Sequence, residues 1–339
     1  MASDPERILL AHGGGGRLSS QLISERILPK FRNDVLSELG DSAHLALPSG
    51  AICFTTDSYV VKPLFFKGGN IGKLAVCGTV NDLAVAGSKP IALSLAFIIE
   101  EGFEMELLER ILQSISETAQ RNSVSIVTGD TKTVERGSAD GIFINTAGIG
   151  VRLPNVELGT AKIEVGDKIL ISGTIGDHGM AILSQREGMS FESPLESDCA
   201  GLAELTCALL ENVPGIRFMR DPTRGGLAAT LNEIVEGSDL SALIDEREIP
   251  VRPAVQAAAD MLGFDVLNTA NEGKFVAVVS SDAAQECLKI CRDHPLGRDA
   301  KAIGEIVETC DVPLVELTTR IGGRRVVQMP YGRELPRIC

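Results

Sequence analysis

Two stretches of similar length, each alternating β-rich and helical patterns, are separated in this chain by one polar, turn-forming run, RLPNVELGTAKIEVGD at 152–167. Elements patterned in this way must bury one face against a partner, so each stretch is expected to form its own layered α/β or α+β body. The first carries the strand-like runs AICFTTDSYVV, PIALSLAFIIE, VSIVTGD and GIFINTAGIGV around the helical runs GNIGKLAVCGTVNDLAVAG and EMELLERILQSISETAQRN. Within the latter helix, Met105, Leu108, Ile111, Leu112 and Ile115 recur at helical spacing. The second opens on the strand KILISG, passes through helices in DHGMAILSQRE, DCAGLAELTCALLENV and RGGLAATLNEIVEG, and keeps alternating to about residue 318. The expected organisation is an N-terminal segment with a Gly-rich loop (1–45), an N-terminal domain (46–155) and a C-terminal domain (156–320). The remainder, 321–339, holds a Gly pair and prolines at 330 and 336, and is predicted to be an extended, mobile tail.

Charge narrows the partners. Acidic residues outnumber basic ones by 46 to 32, a net charge of -14, which argues against nucleic acid or an anionic membrane surface. With no Trp and only two Tyr, stacking platforms for single strands are also hard to build. The N-terminal MASDPERILL lacks a basic and then apolar leader, and no apolar run is of bilayer length, so a cytoplasmic protein is expected. Eight cysteines are scattered without a C-x-x-C pair, which suggests neither a disulfide framework nor a zinc site. Cys287 and Cys291, four apart on a predicted helix, read as small core residues.

Four aspartates stand at the ends of apolar runs in turn-like contexts: Asp57 in FTTDSYV, Asp82 in GTVNDLAV, Asp130 in IVTGDTK and Asp221 in MRDPTRGG. Any one of them reads as readily as a cap or a turn residue. Together, without His or Cys, they suit hard, oxygen-seeking Mg²⁺, which commonly bridges nucleotide phosphates. The run AHGGGGRLSS at 11–20 could cradle phosphate with its backbone amides or serve as a flexible approach; it is not a Walker A loop. Lys132 could meet a phosphate oxygen, move a proton, or simply lie on the surface. Glu272, before Gly273 and the apolar strand KFVAVVS, sits where a partly desolvated general base would sit, or a solvated turn glutamate. For His178, capping and catalysis are equally open.

The chain ends on a thiol, Cys339, with no residues beyond it for prenylation. On a free arm such a thiol can be loaded at one site and processed at another. Residues 320–339 also hold five Arg against one Glu, so a basic tail could be drawn toward an acidic cleft.

The motifs HGGGG, TTDSYVV, GGNIGKLAVCGTVNDLAVAG, TGDTKTVERG, SGTIGDHGMAIL, DPTRGGLA, NEGKF and the terminal PRIC together resemble the HypE family of hydrogenase maturation factors over nearly the whole chain. The resemblance implies a two-domain fold shared with aminoimidazole ribonucleotide synthetase, with ATP binding and homodimerisation assigned to 46–155. It also implies ATP held through Mg²⁺ on Asp57, Asp82, Asp130 and Asp221, with Gly14, Gly15, Gly129, Lys132 and Arg224 as further nucleotide contacts. The activity implied is ATP-dependent dehydration of a carbamoyl group on Cys339 to a thiocyanate. Glu272 would remove protons, with Lys132 as the alternative. The carbamoyltransferase HypF would be the donor partner, and a HypC–HypD complex the cyanide acceptor. Two rivals stay open: a freestanding synthetase or kinase of this fold acting on a diffusible substrate, and a non-catalytic carrier.

Overall fold

The computed structural model describes residues 6–13, 17–37, 42–189, 195–309 and 311–330. Short helices α1 (Arg17–Gln21), α2 (Leu28–Phe31) and α3 (Asp34–Ser37) precede the first sheet. That sheet is built from β1 (Ile52–Tyr59), β4 (Ser88–Glu100), β5 (Ser125–Val134) and β6 (Ile142–Arg152) in the order β1-β6-β4-β5. Only β4 and β5 run parallel. A small hairpin of β2 (Phe65–Phe66) and β3 (Gly69–Asn70) leads into α4 (Ile71–Val85), and α5 (Met105–Arg121) joins β4 to β5.

The two helices show why pattern alone is not enough. α5 is amphipathic and buries the five apolar residues that its spacing picks out. In α4 every residue except Lys73 and Asp82 is buried, so it has no solvent face of its own. The Asn70 side chain caps it, accepting from the amides of Gly72 at 2.9 Å and Lys73 at 3.1 Å. Near its middle, a Cβ on Gly78 would overlap the Tyr59 hydroxyl, so glycine is what lets helix and strand approach.

The second half holds β7 (Lys168–Ile171), β8 (Ile216–Arg220), β9 (Leu240–Asp245), β10 (Val276–Val279), β11 (Lys301–Glu308), β12 (Val315–Thr318) and β13 (Arg324–Val326). Their order is β13-β12-β9-β11-β7-β10-β8, with helices α6 (Asp177–Arg186), α7 (Ala203–Asn212), α8 (Gly226–Val235), α9 (Pro253–Leu262) and α10 (Ala284–Asp293) between them. All ladders here are antiparallel except β9 with β12. Strands that follow one another in sequence are mostly not neighbours in this sheet, so helical connections do not force parallel pairing. The result is α+β in character.

α4 also closes the seam between the halves. Its Val85 packs with Leu170, Leu202 and Leu205 of the second half. Cys77 on α4 stands beside Cys199 across the same seam, and its proximity, with burial, pushes the Cys199 thiol well above its usual range. Cys287 and Cys291 are core residues as expected, and burial pushes both thiols up to about 12.

The tail begins later than the sequence suggests. Arg324–Val326 pair with β12 and Val327 is buried beyond them. The Gly pair is the turn of this hairpin: the Thr319 amide donates to Gly323 at 2.7 Å, and Gly322 has φ 86°, a left-handed conformation that favours glycine. Arg320, Arg324 and Arg325 face Glu246, Glu316 and Asp265 at 3.9, 3.3 and 3.0 Å, so they lend no free charge to a tail. Residues 331–339, Cys339 included, lie outside the described residues.

Candidate active site

A cavity of about 510 Å³ opens between the halves, walled by β1 and α4 on one side and by β8 and its following loop on the other. Asp57, Asp82, Asp221, Arg224 and Glu272 all line it. Asp57 projects from inside β1, Asp82 from inside α4, and only Asp221 stands in a loop past the end of a strand. The turn-end reading of these aspartates therefore holds for Asp221 alone. Sheet and helix geometry, rather than loops, aim the other two.

The cavity is crowded with like charge. Asp82 accepts from Thr55 Oγ1 at 2.9 Å, yet burial, with repulsion from Asp57, holds its carboxyl above the ordinary range. Burial, with repulsion from Asp82 and Asp57, pushes Asp221 up to about 7. Glu272 is only 3% exposed, and burial followed by repulsion from Asp221, Asp198 and Asp57 pushes it well above the carboxylate range. Tyr59 closes the floor with its phenol well raised, chiefly by burial and then by Asp57. Against these stands Arg224, 78% exposed, with Nη2 3.8 Å from Asp57 Oδ1. Of the two readings that the sequence left open, Glu272 is thus the buried one and not a solvated turn residue.

Asp130 does not join the others. The cross-strand row Ser58, Asn145, Ala96 and Asp130 lies on one face of the first sheet, whereas Asp57, Thr146, Leu95 and Gly129 form the adjacent row on the opposite face. Side chains alternate with period two, so the sheet itself separates Asp57 from Asp130 within one chain. Among the described residues no group of three or more His, Cys, Asp or Glu is placed to hold a metal ion. Within one chain, then, three of the four aspartates line one cavity and Asp130 lines another.

Asp130, Gly129 and Lys132 line a second cavity of about 560 Å³, with Ile23, Ile27 and Phe31 in its apolar wall and His12 and Gly13 at its rim. Both Asp130 and Lys132 are exposed. Gly13 packs so closely on β5 that a Cβ would overlap the Thr133 amide, which brings the Gly-rich run to this strand. Gly14 and Gly15 lie outside the described residues. His178 lines neither cavity; it is buried in α6, with Nδ1 2.8 Å from Ser197 Oγ and its ring edge-on to Phe66.

Sequence reasoning passed over Asn81, Asp198 and Lys274. Asn81 Nδ2 donates across the seam to the Ala200 and Glu272 carbonyls at 3.0 and 3.3 Å. Asp198 accepts from the amides of Glu272 and Gly273 at 3.1 and 3.2 Å, and Lys274 Nζ lies 3.4 Å from it. The available signal was an Asn amid the apolar residues of a helix that has almost no exposed position.

Comparison with known proteins agrees with this architecture. Residues 39–152 match the family described as AIR synthase related protein, N-terminal domain, and residues 164–315 match the C-terminal domain of the same family. The carbamoyl dehydratase HypE of Bradyrhizobium diazoefficiens is 52% identical over 97% of this chain and 95% of its own length. HypE of Escherichia coli is 46% identical over 98% of this chain and 99% of its own. A crystal structure of HypE in complex with ATP superposes with a TM-score of 0.94 at 44% identity, covering 98% of this chain and 99% of that one. The chain in a HypE–HypF complex gives 0.80 at 47% identity, covering 91% and 99%.

Proposed function

The chain belongs to the HypE family of AIR synthase related proteins, and on that premise we propose that it dehydrates a carbamoyl group carried on its own Cys339, at the expense of ATP. The observation that carries this reading is the cavity between the halves, where a buried Glu272 with a raised pKa stands among carboxylates that repel one another. In this reaction the carboxamide oxygen attacks the γ-phosphate of ATP, releasing ADP, and the nitrogen gives up its protons as phosphate leaves, so that S–C(O)NH₂ becomes S–C≡N. Glu272 takes a proton from nitrogen; burial raises its pKa and so makes the carboxylate a stronger base than an exposed one. Arg224, an exposed cation lining the cavity beside Asp57, would offset charge on the transferring phosphoryl group.

The three carboxylates line the cavity without converging on a single point, so an Mg²⁺ held there would take one or two of Asp57, Asp82 and Asp221, with phosphate oxygens and water completing its shell, and would neutralise charge on the phosphates. The second cavity, apolar within and edged by Gly129, Asp130 and Lys132, suits the nucleoside end of ATP.

A homodimer through the outer face of the first sheet accounts for the separation of these two cavities. That face exposes Phe54 by 69% and Ile98 by 45%, and Asp130 and Lys132 share it. Pairing there would set Asp130 and Lys132 of one copy against the other copy, where Lys132 could meet phosphate. HypF is the partner proposed to load Cys339, as a HypE–HypF complex is known for a relative; a HypC–HypD complex would take the cyanide. No helix among the described residues is long and apolar enough to cross a membrane, and the cytoplasm is the proposed location.

The test is the mass of the C-terminal peptide from carbamoylated protein before and after MgATP. Loss of one water in step with ADP release is expected. A carbamoyl group left intact while MgATP binds would overturn the proposal.

A further inference from the structure

Asn81 and Asp82 are consecutive on α4 and face different ways. Asp82 lines the cavity, while Asn81, 1% exposed, reaches into the second half of the chain. There its polar atoms are fully engaged: Nδ2 donates to the Ala200 carbonyl at 3.0 Å and the Glu272 carbonyl at 3.3 Å, and Oδ1 accepts from the Leu202 amide at 2.8 Å. The Ala200 amide also donates to the Glu272 carbonyl at 3.3 Å. On the other side of the same residue, the Asp198 carboxylate takes the amides of Glu272 and Gly273. A Cβ on Gly273 would overlap the Asp198 carbonyl oxygen, so this contact leaves no slack.

We infer that Asn81 is a positioning residue that fixes Glu272 relative to Asp82 across the seam between the halves. Glu272 belongs to the second half, and Asp82 to the first. Among the described residues that grip the Glu272 main chain, Asn81 alone comes from the first half, and it adjoins Asp82 in the same helical turn. An amide is the side chain required, because the site asks for two donors and one acceptor at one position. Aspartate has the same shape and no donor when ionised. A base must lie within hydrogen-bond reach of the proton it removes, and a misplacement of about 1 Å can cost about 10²-fold in rate.

This inference rests on Glu272 being the base, and the experiment separates the two. Carbamoylated full-length protein is given MgATP in a single turnover, and water loss from the C-terminal peptide is timed for Asn81→Asp, Asn81→Ser, Glu272→Gln and each pair of Asn81 and Glu272 variants. ATP affinity, measured in parallel, identifies which Asn81 variant has kept its fold. That variant is expected to slow dehydration by about tenfold or more at nearly unchanged ATP affinity, and to add nothing in the Glu272→Gln background. Equal slowing in both backgrounds would show a merely structural role and overturn the inference. So would a slow Glu272→Gln beside an Asn81 variant within about twofold of the parent, and there the base assignment would survive. A Glu272→Gln protein at full speed would instead remove the base assignment and the inference with it.

Discussion

Asp57 and Asp130 occupy opposite faces of one four-stranded sheet, because Asp130 shares its cross-strand row with Ser58 and not with Asp57. If a second copy covers the outer face, a charge in the middle of that face should disrupt it. Phe54→Asp is expected to weaken self-association by about tenfold or more, read by light scattering on dilution, while leaving the fold intact. Unchanged association would move the interface elsewhere.

Glu272→Gln should lower the dehydration rate by about 10²- to 10⁴-fold, the usual contribution of a positioned base. Only the ionised carboxylate accepts a proton, and burial holds its pKa well above the normal range. The parent rate should therefore rise with pH through a limb lying above pH 4.5, and the variant should lack it. A pH–rate profile on carbamoylated protein checks both.

Asp221 links stability to pH in metal-free protein. Its folded pKa, about 7, is raised above the ordinary 3.8, so its contribution is fully present below 3.8 and is lost as pH rises through about 7. Asp221→Asn carries no such loss. Chelator-treated Asp221→Asn should exceed the parent in stability at pH 8 by up to about 4 kcal/mol, with the difference shrinking toward pH 4. Denaturant titrations at several pH values measure it, and a gap independent of pH would contradict the assignment.

Lys274→Met leaves the Asp198 carboxylate buried without its cation. Removal of one member of a buried pair costs about 3–5 kcal/mol, and urea unfolding should show a loss of that order. A variant as stable as the parent would mean that the two amides bonded to Asp198 suffice.

Cys287 and Cys291, buried with thiols near 12, should resist iodoacetamide at pH 8 in the native protein and react once it is unfolded. Peptide mass mapping distinguishes them from the accessible cysteines.

Much of this was legible in the chain. The apolar spacing of α5 marks its buried face, and the motif residues Asp57, Asp82, Asp221, Arg224 and Glu272 do converge on one cavity. What sequence could not supply was parity and pairing. Whether Asp130 joins Asp57 depends on the register of three ladders, which no local pattern encodes. The same limit hid Asn81, whose partners lie more than a hundred residues away. The Gly pair at 322–323 misled for a different reason: glycine marks a tight hairpin turn as readily as a loose tail, and only the pairing of β12 with β13 decides between them.

A helix buried on almost every side belongs to neither half alone. α4 presents Val85 and Asn81 to the second half and Tyr59-facing Gly78 to the first, and its Leu74 and Val80 belong to a core cluster that draws on both. Cut at the polar run near 152–167, the chain would yield an N-terminal fragment with an apolar helix face open to water and a C-terminal fragment missing one wall of its core. The two halves look like modules in sequence, but α4 couples them, so a hybrid made with a relative is expected to keep its stability only when it carries α4 together with the second-half surface it was fitted to.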